Sequence, residues 1–248
     1  MPLLLIQGVG VQGDGWQPQL QELAPHYHCL SFDNRGFGRS QPIGERFSIE
    51  QFAADALALM DAAGWQSAHV AGHSMGGLIA QQLALTARHR VRSLSLLCTF
   101  ARGKDVTGLT WDMLVSGLRT RIGPKAWRRK AFLEMVAAPE SLAGQMAELF
   151  GHDLADQPPL VMKQLAAMSA YDATPRLGEL AGIPTLVVSG KLDRIARPEL
   201  GRALAAGIPG AKYVEFEDAG HALPITHRAR LNRLLLDHLS TTAESPAG

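Results

Sequence analysis

The sequence contains little of several features that define common classes of protein. Only two of its 248 residues are cysteine, Cys29 and Cys98, and both fall in segments with the composition of buried strands. We therefore expect unpaired thiols in a reducing, cytoplasmic compartment rather than a disulfide framework. No apolar run approaches the about 20 residues that span a bilayer. The short apolar start, residues 1–6, also lacks the basic flank of a signal peptide, so no membrane partner is expected.

The charge is nearly balanced. The chain has 24 lysine and arginine residues against 23 aspartate and glutamate residues, a formal net charge of +1. Because proteins that bind nucleic acid usually carry a clear basic excess, no nucleic-acid partner is predicted. The spacing of cysteine, histidine and acidic residues matches no common metal motif. We therefore predict no metal and no other cofactor.

The segment around Ser74 carries the strongest chemical signal in the chain. It reads Gly72-His73-Ser74-Met75-Gly76 and lies between a β-compatible segment and an apolar segment with helical spacing. A G-x-S-x-G sequence at a strand-to-helix turn is the nucleophile-elbow pattern. Such a turn strains the serine backbone, requires small neighbours two positions away and lifts Oγ above the sheet. We interpret Ser74 as a nucleophile; the alternative is a glycine-rich turn with an incidental serine.

Segments with strand character alternate with helix-patterned segments along most of the chain. Residues 3–6 are all apolar, which is typical of a strand buried on both faces. A capping box at Ser48 opens a helix that ends at Gly64. This alternation predicts an α/β fold with a mostly parallel sheet and helices on both faces. The other predicted strands are 28–32, 67–71, 91–98, 185–189 and 212–216, and the other predicted helices are 16–23, 77–85, 198–205 and 225–239.

The alternation is interrupted in the middle of the chain. No strand pattern occurs over residues 101–171, an insertion that predicts a helical cap over the carboxyl edge of the sheet. We therefore divide the chain into an α/β core of residues 1–100 and 172–240, the cap, and a tail of residues 241–248. The predicted cap helices are 111–118, 124–135, 141–150 and 159–168.

A serine hydroxyl becomes nucleophilic only when a base takes its proton and an acid orients that base. His221 follows the last predicted strand, and Asp193 follows the strand before it. Both should therefore lie with Ser74 at the carboxyl edge, where ligands gather in parallel sheets. The chain order Ser, Asp, His is one in which such triads occur. Asp218, three residues before His221, and Asp105, after the fourth strand, are the alternative acids.

The other histidines compete with His221 for the role of base, since the chain has nine. His73 adjoins Ser74, but neighbours in a tight turn point in different directions, so we expect it to be structural. Most of the remainder are expected at helix ends or in solvent-facing positions; these are His26, His28, His89, His227 and His238.

An acyl-transfer site also needs two amide donors for the developing oxyanion. One donor should be the N–H of Met75, the residue after the nucleophile. The second should come from the loop after the first strand, where Gly8 lets the backbone pass close to the substrate.

Over residues 3–239 the sequence resembles the α/β-hydrolase fold superfamily, in its serine hydrolase branch. The resemblance implies that Ser74 is the nucleophile, His221 the general base and Asp193 its orienter. It also implies that the Val9 and Met75 N–H groups form the oxyanion hole. The motifs that carry it are the Gly8 loop with Trp16, Asp33-x-Arg35-Gly36-x-Gly38-x-Ser40, the elbow at 72–77, residues 190–193, and Gly220-His221.

Within this superfamily the sequence resembles small esterases, 3-oxoadipate enol-lactonase-like enzymes and carbon–carbon bond hydrolases. Relatives that open epoxides or remove halides carry an aspartate where this chain has Ser74, which argues against those chemistries. We predict a cofactor-free hydrolase that cleaves a small, largely apolar ester, thioester or lactone through an acyl-enzyme. The alternatives are a carbon–carbon bond hydrolase or perhydrolase with the same triad, and a hydrolase-fold binding or receptor protein with little turnover.

Two features depart from the family pattern. The oxyanion loop carries Gln7-Gly8 where His-Gly is usual, which should alter local hydrogen bonds more than the mechanism. The sequence starts on what resembles the third strand of the family pattern, without the usual leading β-hairpin, so we expect strand 27–32 to lie on a sheet edge; the alternative is a truncated or misassigned start. Because an uncovered edge invites pairing with another chain, we hypothesise a homodimer through that strand.

The cap residues suggest what the substrate looks like. A cluster of cations is expected to be either a solvated helix face or an attraction for an anionic acid or coenzyme ester. It comprises Arg119, Arg121, Lys125, Arg128, Arg129 and Lys130. Large apolar side chains predict an apolar cavity with few polar groups. They are Leu109, Trp111, Met113, Leu114, Phe132, Met135, Met146, Phe150, Met162 and Met168.

Overall fold

A parallel β-sheet forms the centre of the molecule. The computed structural model describes residues 1–40, 47–107, 118–156 and 158–241. Within these residues six strands pair in the order β2-β1-β3-β4-β5-β6, and every pairing is parallel. The predicted α/β fold is confirmed, and the sheet is wholly rather than mostly parallel in this part of the chain. The strands are β1 (Pro2–Ile6), β2 (His28–Ser31), β3 (Ala68–His73), β4 (Val91–Leu97), β5 (Thr185–Gly190) and β6 (Lys212–Phe216).

Helices cover both faces of the sheet and fill the segment between β4 and β5. Each long crossover returns the chain to the same end of the sheet, as parallel pairing requires. The helices of the described residues are α1 (Gln17–Leu23), α2 (Ile49–Ala62), α3 (Met75–Thr86), α4 (Lys104–Thr107), α5 (Lys125–Val136), α6 (Ala143–Phe150), α7 (Val161–Ala170), α8 (Pro198–Gly207), α9 (Leu223–Thr226) and α10 (Arg228–Thr241).

The apolar run of β1 has a direct structural explanation. Successive side chains of a strand point to opposite faces of the sheet. Leu4 and Ile6 accordingly pack with α2 and α3 on one face, whereas Leu3 and Leu5 pack with α1 and α10 on the other. All four side chains are fully buried. A strand covered on both faces therefore needs apolar residues at every position rather than at alternate ones.

Several predicted boundaries differ from the structure. The closing helix, predicted as one segment, is divided into α9 and α10 by His227. The first turn of the predicted helix 141–150 is a 3₁₀ turn, Glu140–Leu142, before α6 begins. The predicted helix 111–118 lies outside the described residues except for its last position.

The helical segment between β4 and β5 leaves the sheet and returns to it at neighbouring points. Arg102 and Asp172 form an isolated antiparallel bridge, and the Ala173 N–H donates to the Ala101 carbonyl at 2.9 Å. These contacts fall at the boundaries predicted for the cap, residues 101–171. The division into core, cap and tail stays a prediction.

β2 lies at an edge of the described sheet, where the sequence predicted it. It pairs only with β1 among the described strands, and Cys29 within it is half-buried rather than fully buried. Cys98, by contrast, is buried, and both cysteines are unpaired as predicted. None of the helices described is both long and apolar enough to cross a membrane.

Candidate active site

Ser74 occupies a strained turn between β3 and α3. Its backbone has φ 56° and ψ −121°, a conformation that non-glycine residues rarely adopt. Tight packing around the turn maintains this strain. A Cβ on Gly72 would lie 2.2 Å from the Gly76 carbonyl oxygen, and a Cβ on Gly76 would lie 2.1 Å from the Ile6 carbonyl oxygen. The glycines two positions before and after Ser74 are therefore required by close backbone approach, as the sequence predicted.

The structure brings Ser74, His221 and Asp193 into one chain of hydrogen bonds. Ser74 Oγ lies 3.1 Å from His221 Nε2, and His221 Nδ1 lies 2.8 Å from Asp193 Oδ2. The three residues follow three different strands, β3, β5 and β6, and are separated by up to 147 positions in the chain. All three are buried. The tautomer in which Nδ1 carries the proton leaves the Nε2 lone pair free to accept the serine proton.

Backbone amides fix the orientation of Asp193. Its Oδ1 accepts from the N–H groups of Ile195 and Ala196 at 2.8 and 2.9 Å, which leaves Oδ2 for His221. The two rival acids have other partners. Asp218 is exposed and faces His227 and Arg230, and Asp105 pairs with Arg102. Geometry therefore favours Asp193 among the three acids that the sequence offered.

The two predicted oxyanion donors lie beside the nucleophile. Gly8 is so close to the elbow that a Cβ there would lie 3.5 Å from Ser74 Oγ. Val9 follows it in the same loop and lines the cavity, and Met75 is the first residue of α3. Among the described residues, neither the Val9 nor the Met75 N–H donates to a protein acceptor. Both amides are thus available to a ligand oxygen.

His73 supports the loop that carries His221. Its Nε2 donates to the His221 carbonyl oxygen at 3.0 Å, and the two rings lie 4.9 Å apart. Burial, with a contribution from the neighbouring His221, lowers the pKa of His73 from 6.5 to about 3. Because the ring stays neutral near pH 7, it can hold the loop but does not exchange protons there. The expected structural role agrees with this geometry.

Cys98 completes a cluster that the sequence spacing did not reveal. Possible ligand atoms of His73, Cys98 and His221 lie within 4.8 Å of one another. However, burial raises the pKa of the Cys98 thiol well above its usual value, and Asp193 nearby adds to the shift. A protonated thiol is a poor metal ligand and a poor nucleophile. The His221 ring nitrogens are also both engaged by Asp193 and Ser74.

A cavity of about 1510 Å³ opens over the triad. Side chains of α5, α6 and α7 supply much of its apolar wall, whereas charged residues lie on other parts of its lining, among them Arg119, Arg194 and Arg197. Six of the ten apolar residues singled out in the sequence line the cavity. They are Phe132, Met135, Met146, Phe150, Met162 and Met168. The other four, Leu109, Trp111, Met113 and Leu114, lie outside the described residues.

The helical segment between β4 and β5, the predicted cap, contacts the loop that carries His221. The Ala222 N–H donates to the Val136 carbonyl at 3.1 Å, and a Cβ on Gly220 would lie 2.3 Å from the Ala137 Cβ. Ala222 and Ile225 also belong to the small apolar core that α5 and α6 build. Cap and triad are therefore packed against each other rather than separated by solvent.

The basic cluster of the cap is partly neutralised by ion pairs. Three of its six cations have acidic partners at 2.7 to 3.1 Å on neighbouring elements. The pairs are Arg119–Glu134, Lys125–Asp156 and Arg129–Asp153. A solvated, ion-paired face accounts for Lys125 and Arg129, whereas Arg119 is ion-paired and also lines the cavity.

Two histidines have contacts that the sequence did not indicate. His238 lies in the last turn of α10, at a helix end as expected, but it is buried against the sheet and its Nε2 donates to the Leu94 carbonyl at 3.1 Å. His152, not singled out by the sequence, lines the cavity and bonds to Gly10. The exposed positions of His26, His28 and His89 agree with the prediction.

Comparison with known proteins identifies the family. The model of the α/β-hydrolase fold family matches residues 1–228, which is most of the chain. The chain therefore belongs to the α/β-hydrolase fold family, and it is an α/β hydrolase by its fold and by the enzymes it is similar to.

Individual relatives span nearly the whole chain. A protein of Azorhizobium caulinodans named "Putative carbamate hydrolase RutD" is 33% identical, over 95% of this chain and 89% of the relative. One of the same name from Variovorax paradoxus is 31% identical, over 96% and 91%. Among solved structures, the enol-lactonase from Burkholderia xenovorans LB400 is 28% identical with a TM-score of 0.80, over 96% of this chain and 91% of that one. A thermophilic esterase from Thermogutta terrifontis is 28% identical with a TM-score of 0.79, over 98% and 90%.

Proposed function

We propose that the protein is a serine hydrolase that cleaves a small, largely apolar carboxylic ester, thioester or lactone through an acyl-enzyme. In this proposal Ser74 is the nucleophile, His221 the general base and Asp193 its orienter, while the Val9 and Met75 amides form the oxyanion hole. The observation that carries it is the pair of contacts at 3.1 and 2.8 Å that joins Ser74 through His221 to Asp193. The proposal includes no cofactor.

The geometry supports a two-stage reaction. His221 Nε2 takes the hydroxyl proton as Ser74 Oγ attacks the carbonyl carbon, and the new alkoxide accepts from the two amides. When the tetrahedral intermediate collapses, His221 returns the proton to the leaving alcohol or thiol, or to the ring oxygen of a lactone. Water, deprotonated by His221, then attacks the acyl-enzyme and releases the acid. Asp193 stabilises the imidazolium at each proton transfer without itself being protonated.

The lining of the cavity supports a largely apolar acyl group. Aromatic and methionine side chains from three helices surround the approach to Ser74, and a flexible thioether adapts to chains of different shape. The structures of an enol-lactonase and an esterase among its neighbours support ester or lactone chemistry.

A carbamate is the second candidate substrate. The observation that favours it is the name carried by the two curated relatives, which are 33% and 31% identical. A carbamate carbonyl is attacked by the same triad, but nitrogen donation makes it less electrophilic than an ester carbonyl. The proposed machinery is identical for both substrates, so the distinction lies in the rates.

The nucleophile is tested first. A fluorophosphonate probe should label the protein, and Ser74→Ala should abolish the labelling while unfolding at the same urea concentration. We expect the variant to lose at least about 10⁴-fold in kcat on p-nitrophenyl esters. Labelling that persists in Ser74→Ala would rule out this serine as the nucleophile.

The substrate class is tested by a series of p-nitrophenyl esters of increasing acyl length, together with a thioester, a γ-lactone and an N-alkyl carbamate. Ester or lactone turnover above that of the carbamate is expected from the proposal. If the carbamate has the highest kcat/KM of the series, carbamate hydrolysis replaces ester or lactone hydrolysis as the proposed function. If none of these substrates is hydrolysed in a way that depends on His221, both candidate functions are contradicted.

We also propose a cytoplasmic location and a homodimer. The two unpaired cysteines support a reducing compartment, and the edge position of β2 supports association through that strand. Light scattering at micromolar concentration checks the second point, because a monomer there contradicts it.

A further inference from the structure

The backbone N–H and carbonyl of Gly10 both form hydrogen bonds with side chains of the cap. It is buried, with φ 72°, and belongs to the loop that carries Val9. The Gly10 N–H donates to Gln164 Oε1 at 2.9 Å, and the Gly10 carbonyl accepts from His152 Nε2, also at 2.9 Å. Gln164 belongs to α7 and lies 154 positions from Gly10 in the chain. His152 follows α6 and lies 142 positions from Gly10, so the two contacts come from separate parts of the cap.

The donor and the acceptor in each contact follow from the backbone groups involved. A carbonyl oxygen only accepts, so the contact with Gly10 requires a proton on His152 Nε2; the other ring nitrogen, Nδ1, lies 2.9 Å from the Asp153 carbonyl oxygen and needs a proton of its own to donate there. An amide N–H only donates, so Gln164 must present its carbonyl oxygen to Gly10. Gln164 is 1% exposed, which means that solvent does not replace it easily. A buried backbone group left without a partner is costly because it has lost its hydrogen bonds to water. Loss of either side chain should therefore displace the loop rather than leave Gly10 unsatisfied.

Packing reinforces the same contact. A Cβ on Gly10 would lie 3.2 Å from Val161 Cγ2, so α7 rests directly on this residue. The neighbouring Gly8 already lies against Ser74. The Val9 amide is therefore placed between a fixed point at the elbow and a fixed point on the cap.

We propose that Gln164 and His152 are positioning residues, through which the cap sets the place of the Val9 N–H in the oxyanion hole. The proposal rests on the function proposed above, since it requires an oxyanion to be stabilised. It makes catalysis depend on the cap even where the cap does not touch the reacting atoms. An N–H group that is displaced by a fraction of an ångström stabilises the oxyanion little, because its hydrogen bond to that oxygen has to form in the transition state.

The test compares variants that remove a hydrogen bond with variants that keep it. Gln164→Met removes the acceptor at similar size, whereas Gln164→Glu retains an acceptor oxygen. His152→Met removes the donor, whereas His152→Gln retains an N–H near the Nε2 position. Gln145→Met is the matched control, because Gln145 is an exposed cap residue on α6.

We expect Gln164→Met and His152→Met to lower kcat by about 10- to 100-fold with little change in KM, since only transition-state stabilisation is lost. The affinity of a trifluoromethyl ketone, whose adduct with Ser74 carries an oxyanion, should fall by the same factor. Gln164→Glu and His152→Gln should recover most of the loss, and Gln145→Met should behave as the unaltered protein.

Hydrogen exchange of the Gly10 amide gives a readout that does not depend on activity. It should be protected in the unaltered protein and in Gln145→Met, and should exchange faster in Gln164→Met. A folded Gln164→Met with unchanged kcat and ketone affinity, or a change confined to KM, would overturn the proposal while leaving the serine hydrolase intact. Absence of turnover in the unaltered protein would instead contradict the proposed function, and the exchange result would then report on the loop alone. If the Gln164 variants do not fold, the His152 pair decides.

Discussion

The elbow and the exposed face of α6 in the predicted cap differ in how closely the backbone is packed. At the elbow, a single added Cβ on Gly76 would lie 2.1 Å from the Ile6 carbonyl oxygen, a separation that no side-chain rotation relieves. On α6 of the cap, a Cβ on Gly144 would meet no atom within 4 Å. The elbow must hold a strained serine in one position, whereas the cap needs to supply an apolar wall and a few hydrogen bonds. Substitutions should therefore be costly in the first region and mild in much of the second.

The largest effect should follow from a change at the triad. Asp193→Asn should lower kcat by about 10³- to 10⁴-fold, because an amide at this position no longer favours the His221 tautomer that accepts the serine proton. Asp218→Asn is the matched control; Asp218 is exposed and lies apart from Ser74, so kcat should stay within about twofold. Steady-state kinetics on the best p-nitrophenyl ester measure both. Equal losses in the two variants would remove Asp193 from its proposed role.

A methyl group at the elbow should be the next most damaging change. Gly76→Ala should lower the free energy of unfolding by at least about 3 kcal/mol, because the clash is with backbone atoms of β1 and requires strand and helix to separate. Urea unfolding followed by circular dichroism measures the loss. A variant as stable as the unaltered protein would show that the packing at the elbow is looser than the structure indicates.

Acid should destabilise the core through its buried histidines. Burial lowers the pKa of His69 from 6.5 to about 4 and that of His73 to about 3, and it also lowers the pKa of His238. The unfolded chain therefore binds more protons than the folded chain between about pH 6.5 and pH 3–4, so stability is lost as the pH falls through this range. Since one pKa unit corresponds to about 1.4 kcal/mol, the sum should reach a few kcal/mol.

Urea midpoints at pH 7, 5.5 and 4.5 measure this dependence. His69→Asn keeps a polar group near the Nδ1 position, which lies 2.8 Å from Ser93 Oγ, but does not titrate. Its stability should fall less steeply between pH 7 and 4.5 than that of the unaltered protein. A flat or rising profile in the unaltered protein would contradict the assignment.

The smallest effect is expected in the cap. Gly144→Ala should raise the free energy of unfolding by about 0.4–1 kcal/mol, because alanine restricts the unfolded chain more than glycine does and the added methyl group has free space in the first turn of α6. The same urea experiment detects it, with kcat as a check that the active site is unchanged. Destabilisation by this substitution would mean that the exposed face of α6 is packed more tightly than the structure indicates.

Much of the architecture could be predicted from local patterns. The apolar run at residues 3–6 predicted a strand covered on both faces, and all four side chains are buried. The glycine spacing around Ser74 predicted a strained turn, and the φ of 56° at Ser74 confirms it. The burial of His238 at the end of α10 was not predicted, because helical spacing alone does not say how a terminal helix is rotated against a sheet. Gln164 and His152 carried no sequence signal, since their partner is a backbone group far away in the chain.

The sequence by itself determined the fold family, the strained serine turn and the small residues that this turn requires, because these depend on neighbours within a few positions. Only the tertiary structure decided which acid faces His221, which histidines are buried, and which cap side chains hold Gly10. Those relations join residues that are distant in the chain, and they are set by how the elements pack rather than by the pattern within any one of them.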